Sequence, residues 1–280
     1  MKTLKSSFFP YVCIPLFAGL IFSGCHKGAQ QNQTPSLDTK SIPQVLYGAY
    51  LGELRLPDQT TTEILNGGST VRFHFPKGIY LVGTDSTGQI RMLTETDYTC
   101  TGACTQGCDV FYIRGHFGCS QCEPGTISCT GHSSSLSGLE GYGFVDLKQG
   151  IHFVKDTQEI HSLFDPPNGL FDIPAVRQAM EQFNIQNYGQ PQPDFSRRSA
   201  YREVAVNLFG CLVTYLVPKS GQLRSDVSVD QLIDASSWYC HCDEGNTDCT
   251  PESGLGYKMC KKGGCTSCRM HIDQQQLSSN

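Results

Sequence analysis

The sequence predicts an α+β protein: a β-rich N-terminal part followed by helices and a disulfide-rich C-terminal module. Three observations carry this expectation. From Val45 to Val154 the chain is rich in β-branched and aromatic residues, in places alternating with polar ones. After DPPNGLFD at 165–172, whose doubled proline and Asn-Gly pair mark a turn, apolar residues recur at spacings of three and four. Twelve cysteines fall into two sets of six, one in each part. The expected organisation is a leader over 1–24, a flexible tether over 25–44, a β-rich domain over 45–164 and a helical region over 165–280.

In chain order, the leader comes first. Lys2 and Lys5 form a short basic start, Phe8 to Phe22 is almost wholly apolar, and Ser23 and Gly24 precede Cys25. That order is a secretory signal peptide, and it is short for a membrane span. Residues 26–44 hold few large apolar side chains, too few to offset the entropy of ordering, and so read as a tether.

The β-rich part rests on VLYGAYLGELRL and TVRFHFPKGIYLVGT, with QIRML, DVFYIRG and YGFVDL as further strands. Val71, Phe73 and Phe75 alternate with Arg72 and His74, which places His74 on a solvated face. NGGS, STG and LKQG supply the turns. Beyond residue 165, Asp172 is the expected cap of a helix with Pro174 in its first turn, and Ile173, Val176, Met180 and Phe183 mark its buried face. YGQPQPDFS links this to a second helix from about Ser196 to Leu216. The second half of that segment, VAVNLFGCLVTYLV, is apolar on every side and reads as a core helix, with a strand as the alternative for CLVTYLV. Cys211 inside it reads as a small buried hydrophobe. A short helix at 229–236, a loop-like cysteine-dense stretch to Cys268 and a disordered QQQLSSN tail complete the expectation.

Charge excludes some roles. The chain has 21 Lys and Arg against 26 Asp and Glu, and loss of the leader leaves 19 against 26, a formal charge of −7. The charges are scattered, so binding of nucleic acid or anionic membrane through a basic face is not expected. There is no G-x-S-x-G, no H-E-x-x-H and no phosphate-cradling glycine loop. No cofactor and no enzymatic activity are predicted, and GHSSSLSG at 131–138 reads as a loop.

The cysteines dominate what remains. The first set is Cys100, Cys104, Cys108, Cys119, Cys122 and Cys129; the second is Cys240, Cys242, Cys249, Cys260, Cys265 and Cys268. Behind a signal peptide, two sets of six are most simply two sets of three disulfides. Both contain a ten-residue gap and a Gly-Cys-x-x-Cys element, but the order of gaps differs, which leaves an internal repeat open. Zinc needs two C-x-x-C pairs in one site, and here the pairs lie 143 residues apart. A redox role is the third option, since Lys258, Lys261, Lys262 and Arg269 flank the last cysteines and cations lower a thiol pKa. Neither C-x-x-C opens a helix, against a thioredoxin-like site.

The end of the leader, SGC at 23–25 after the apolar run, resembles the lipobox of bacterial lipoproteins. The resemblance implies that Cys25 carries lipid and becomes the new N-terminus, so that the membrane is a partner through that lipid. His26 stands where an aspartate would resemble an inner-membrane retention signal, which points to the outer membrane. The expected role is a lipid-anchored cell-envelope protein with a structural or binding function. The alternative is an envelope thiol-disulfide redox or metal-binding protein using the C-x-x-C elements.

Overall fold

The computed structural model describes residues 42–103, 107–120, 129–242, 249–265 and 267–273. The leader, Cys25, the tether up to Ser41, Cys104, Cys122 and the QQQLSSN tail lie outside the described residues.

Strands come first and keep coming. They are β1 (Val45–Leu46), β2 (Tyr50–Leu51), β3 (Leu54–Arg55), β4 (Thr60–Leu65), β5 (Thr70–His74), β6 (Ile79–Thr84), β7 (Ile90–Leu93), β8 (Glu95–Thr101), β9 (Val110–Ile113), β10 (His116–Cys119) and β11 (Thr130–His132). β12 (Glu140–Asp146) and β13 (Ile151–Phe153) lead to the short helix α1 (Thr157–Ile160) and the longer α2 (Pro174–Tyr188). Six more strands follow: β14 (Tyr201–Leu208), β15 (Cys211–Pro218), β16 (Trp238–Cys242), β17 (Cys249–Gly254), β18 (Tyr257–Lys262) and β19 (Cys268–Ile272). The sheets have the orders β1-β4-β5-β8-β11, β3-β2-β10-β9, β12-β6-β7, β13-β14-β15-β18-β17 and β16-β19.

This corrects the α+β expectation: the protein is mostly β, with two α-helices among the described residues. The second helix expected over 196–216 is the hairpin β14–β15. Its strands pair from Tyr201↔Pro218 to Leu208↔Cys211, so the loop is two residues long. Phe209 and Gly210 sit there at φ 52° and 83°, the left-handed pair that two-residue hairpin loops require. The run is apolar throughout because both faces of this hairpin are covered. Val204, Val206, Val213, Tyr215 and Val217 pack toward α2, while Ala205 and Leu212 pack toward Ile233 and the buried cysteines of the second set. A strand buried on both sides loses its alternation and cannot be told from a core helix by pattern alone. The helix expected at 229–236 shrinks to one 3₁₀ turn, Val229–Gln231.

The helix expected after residue 172 is present as α2. Pro174 stands in its first turn, and Val176, Met180 and Phe183 are buried. Asp172 is not the cap: Ile173 holds that position without a side-chain bond, and Asp172 instead pairs with Arg177 at 3.3 Å. Gly189 closes the helix at φ 78°, the left-handed stop that glycine tolerates. His74 lies on an exposed face as read, with Nδ1 at 3.0 Å from Glu95.

The stretch expected to be loop-like, from 238 to Cys268, is instead four strands, and it repeats an earlier one. In the first set Cys100 on β8 lies opposite Gly131 on β11; in the second Cys240 on β16 lies opposite Met270 on β19. Each partner stands two residues beyond the last cysteine of its set. Cys119 on β10 faces Val110 on β9, and Cys260 on β18 faces Pro251 on β17, each two residues beyond the third cysteine. Both hairpins turn on a residue-glycine pair at positive φ, Arg114-Gly115 (50°, 89°) and Leu255-Gly256 (48°, 90°). Disulfides join first to fourth cysteine as Cys100–Cys119 and Cys240–Cys260, and third to sixth as Cys108–Cys129 and Cys249–Cys268. In the second set Cys242–Cys265 joins second to fifth cysteine; the second and fifth of the first set, Cys104 and Cys122, lie outside the described residues. One four-stranded cystine module is therefore built twice.

The two copies dock differently. The first is held through its Cys100 strand, β8, which pairs with β5. The second is held through its Cys260 strand, β18, which pairs with β15 through Thr214↔Lys258 and Tyr215↔Tyr257. A separate apolar cluster lies under each arrangement, around Phe73, Leu81 and Phe144 in the first half and around Tyr215, Tyr257 and Met180 in the second. The second sheet is further stapled by Glu203, whose carboxylate accepts from the Trp238 indole and the Lys258 ammonium, and from the Thr214 hydroxyl at 3.4 Å.

Candidate functional site

Where the two halves meet, four segments enclose a cleft of about 330 Å³. These are the β2–β3 hairpin, Gly143 and Phe144 of β12, the chain from Ile160 to Pro166, and β19 with the end of β18, and Leu212 of β15 completes the lining. The local sequence dictates the closeness of two of them. A Cβ on Gly143 would lie 2.5 Å from the Asp165 carbonyl, so glycine is what lets the DPP segment lie against β12. That segment is pinned from the other side. Phe164 N–H donates to Gly210 O at 2.7 Å, and Leu212 N–H donates to Phe164 O at 3.2 Å. Asn168 then clasps the end of β18: its Nδ2 donates to Lys262 O at 2.6 Å, and Lys262 N–H donates to its Oδ1 at 2.8 Å. Across the cleft, Arg55 Nη1 donates to His161 O at 3.0 Å and ties the β2–β3 hairpin to the 160–166 segment.

The floor is apolar, formed by Phe144, Leu163, Phe164 and Leu212. The polar groups converge above it. Lys262 is only 3% exposed, with its ammonium donating to Tyr142 O and lying 5.9 Å from the Tyr142 ring. Burial pushes this ammonium below the ordinary lysine range, while the nearby Asp165 carboxylate opposes the shift. Asp165 is also held by Arg269, Nε to Oδ2 at 3.4 Å. His161 and His271 stand at the rim, the latter stacked on Tyr239 at 5.3 Å between ring centres.

Among the described residues no sequence-predicted cysteine lines the cleft, and ten of the twelve are in disulfides as expected, with Cys104 and Cys122 outside the described residues. Neither C-x-x-C closes on itself: Cys119 bonds Cys100, Cys265 bonds Cys242 and Cys268 bonds Cys249. The Sγ atoms of Cys240, Cys249 and Cys260 lie within 4.8 Å of one another, but each is already in a disulfide, so a metal would require their reduction. Cys211 is the free cysteine among the described residues, fully buried, with Sγ 3.1 Å from Phe144 O. Burial pushes its thiol well above the usual cysteine range, which removes it as a nucleophile. GHSSSLSG forms a turn around Asp97, which accepts from Ser134 Oγ at 2.8 Å and from Ser133 Oγ at 3.3 Å. Burial alone would raise the Asp97 carboxyl, but these hydroxyls and the Ser134 and Ser135 backbone hold it low.

Composition alone did not single out Asp165 or Arg55 for the cleft. Lys262 and Arg269 stood out only as cations beside cysteines. One signal pointed further: on a strand, Lys262 shares a face with Cys260 two residues earlier, so a buried disulfide implies a buried lysine. No helix among the described residues is long and apolar enough to cross a membrane. Comparison with protein-family models, curated proteins and solved structures finds no match to this chain.

Proposed function

We propose that this chain is an exported binding protein, anchored in the cell envelope through lipid on Cys25, that receives a small molecule in the cleft between its two halves. The single observation that carries the binding role is the cleft itself. It sits at the junction of two stapled halves, joins an apolar floor to a few convergent polar groups, and has the size of a small-ligand site. Its walls are pre-formed, because β18 and β19 carry disulfides and the DPP segment is pinned on both sides. Rigid walls lower the ordering cost of binding. The cysteines serve this frame, since neither C-x-x-C is arranged as an exchangeable pair. The anchor is supported by the leader that ends at Cys25 and by the polar tether that follows it.

The test uses the full chain, extracted in detergent with its disulfides intact. Mass spectrometry of the N-terminal peptide should show acylated Cys25, and Cys25→Ala should release the chain from the membrane fraction. A thermal-shift screen of small molecules should yield ligands whose shift disappears in Leu163→Trp, which fills the cleft. Ligands that shift the wild type and Leu163→Trp equally would place binding outside the cleft.

A further inference from the structure

We infer that the ligand of this cleft is a short peptide in extended conformation, held by its backbone along the free edge of β19. The inference rests on the reading of the cleft as a binding site and adds the ligand class.

The way β19 meets the cleft carries it. Four consecutive residues, Arg269 to Ile272, border the cavity. Successive side chains of a strand point to opposite faces, so a cavity lying over one face would touch every second residue. Contact with all four means that the cleft runs along the edge of the strand. β19 has such an edge, because its sheet is two strands wide and β16 pairs with the other side. The direction of its backbone groups follows from one bond. Asp273 N–H donates to Ser237 O at 2.8 Å, one step beyond the Ile272↔Trp238 pair. Bonded and non-bonded pairs alternate along an antiparallel ladder. His271 and Arg269 therefore bond to β16, and Met270 and Ile272 turn their N–H and C=O groups outward. Neither residue finds another backbone partner for them among the described residues.

The opposite wall has the same character. β3 is the last strand of its sheet. Leu56 N–H donates to Ala49 O at 2.8 Å, so the same alternation leaves the Arg55 N–H and C=O pointing away from β2.

Those outward groups define the ligand. Along β19 a donor and an acceptor recur every second residue, about 6.6 Å apart. An extended polypeptide presents the complementary groups at the same interval, which is the basis of strand addition to a sheet edge. The side chains follow from the pleat, since an added strand continues the two faces of β19. On the inner face Met270 and Ile272 belong to the apolar cluster that includes Leu163 and Leu212 of the cleft floor. On the outer face stand the exposed His271 and the half-buried Arg269. The fitting peptide therefore alternates apolar residues, set on the floor, with polar residues turned to water. A third strand also reinforces the ribbon, which is marginal at two.

The experiment titrates the detergent-extracted full chain, disulfides intact, with capped pentapeptides in which threonine alternates with valine, leucine or phenylalanine, reading heat or saturation-transfer NMR. The tightest binder is then remade with a single N-methyl group at each amide in turn. Methylation should weaken binding about fivefold or more at every second amide and less than about twofold at the amides between, because only alternate N–H groups face the edge. Ile272→Pro removes one outward N–H without removing a bond to β16 and should weaken the peptide about fivefold. Leu163→Trp should abolish binding. If Ile272→Pro does not fold, the methyl scan on the wild type decides alone. Methylation that weakens binding equally at every amide, or at none, would overturn strand addition, as would full affinity in a folded Ile272→Pro or in Leu163→Trp. Small molecules that bind in the cleft while every peptide fails would overturn the peptide and leave the cleft as a binding site. Failure of small molecules and peptides alike would overturn both.

Discussion

Glu203→Ala is expected to cost about 3–5 kcal/mol, the range for breaking one side of a buried ion pair. Glu203 lies on β14, and its carboxylate gathers the Lys258 ammonium of β18, the Trp238 indole of β16 and the Thr214 hydroxyl of β15. The side chains of Glu203 and Lys258 are only 16% and 19% exposed, so water replaces the lost partner poorly. Removal leaves an ammonium over the Trp238 ring and an indole N–H without their shared acceptor. Trp238 is the chain's single tryptophan, so its fluorescence reports the site directly during denaturant unfolding. Glu203→Gln keeps the acceptor oxygen but not the charge and should fall between wild type and alanine. A Glu203→Ala protein within about 1 kcal/mol of wild type would show that the cluster is screened like a surface pair.

Replacing Cys240 and Cys260 together by alanine should cost about 3 kcal/mol, from the chain entropy of a loop of this length. Those residues are 20 apart in sequence, and Cys260 is wholly buried. The structural consequence is more specific than the number. β16 and β19 form a two-stranded ribbon, and a ribbon of that size is marginal by itself. The Cys240–Cys260 bond ties it to β18 and so to the five-stranded sheet. Amide exchange in 238–242 and 268–272 should therefore accelerate before that in β14 and β15. Uniform acceleration across all four strands would mean that the ribbon and the sheet open as one unit.

The parts of the fold that could be read from the sequence were those with one buried face. β5 alternates because one side of it is solvated, and α2 shows its period because Val176, Met180 and Phe183 face inward, with Asn184 and Asn187 buried beside them. The hairpin β14–β15 hid for the opposite reason. With Val204 to Leu208 and Cys211 to Val217 all buried, period gave no information, and the deciding signal was Phe209-Gly210 as a two-residue loop. The strands of the second cysteine module were obscured by composition. WYCHC, CTPESG, YKMCKK and CRMHI carry cysteines and charged or polar residues with few β-branched ones, and the disulfides supply the order that propensity does not. The repeat was obscured because the gaps around it differ in length. Only the ten-residue interval between Cys108 and Cys119, and between Cys249 and Cys260, is shared, and that interval is the hairpin.

The cleft was less legible still, because it is assembled from both halves. Nothing local to DPPNGLFD announces that Asp165 meets Arg269, or that Asn168 clasps the backbone of Lys262. Those contacts span 104 and 94 residues, and they depend on Gly143 admitting the doubled proline against β12. Within DPPNGLFD at 165–172 the turn is at Asn168-Gly169, with Gly169 at φ 72°, and the partner of this segment is visible only once the sheets are placed.

The cysteines are expected to form two copies of one structural frame and to take no part in chemistry. A non-reducing peptide map of the native protein, alkylated before and after denaturation, tests it most directly. The expected links are Cys100–Cys119, Cys108–Cys129, Cys240–Cys260, Cys242–Cys265 and Cys249–Cys268, with Cys211 alkylated only after denaturation. A Cys119–Cys122 or Cys265–Cys268 bond, or a thiol at any of these four positions that reacts in the native state, would contradict it.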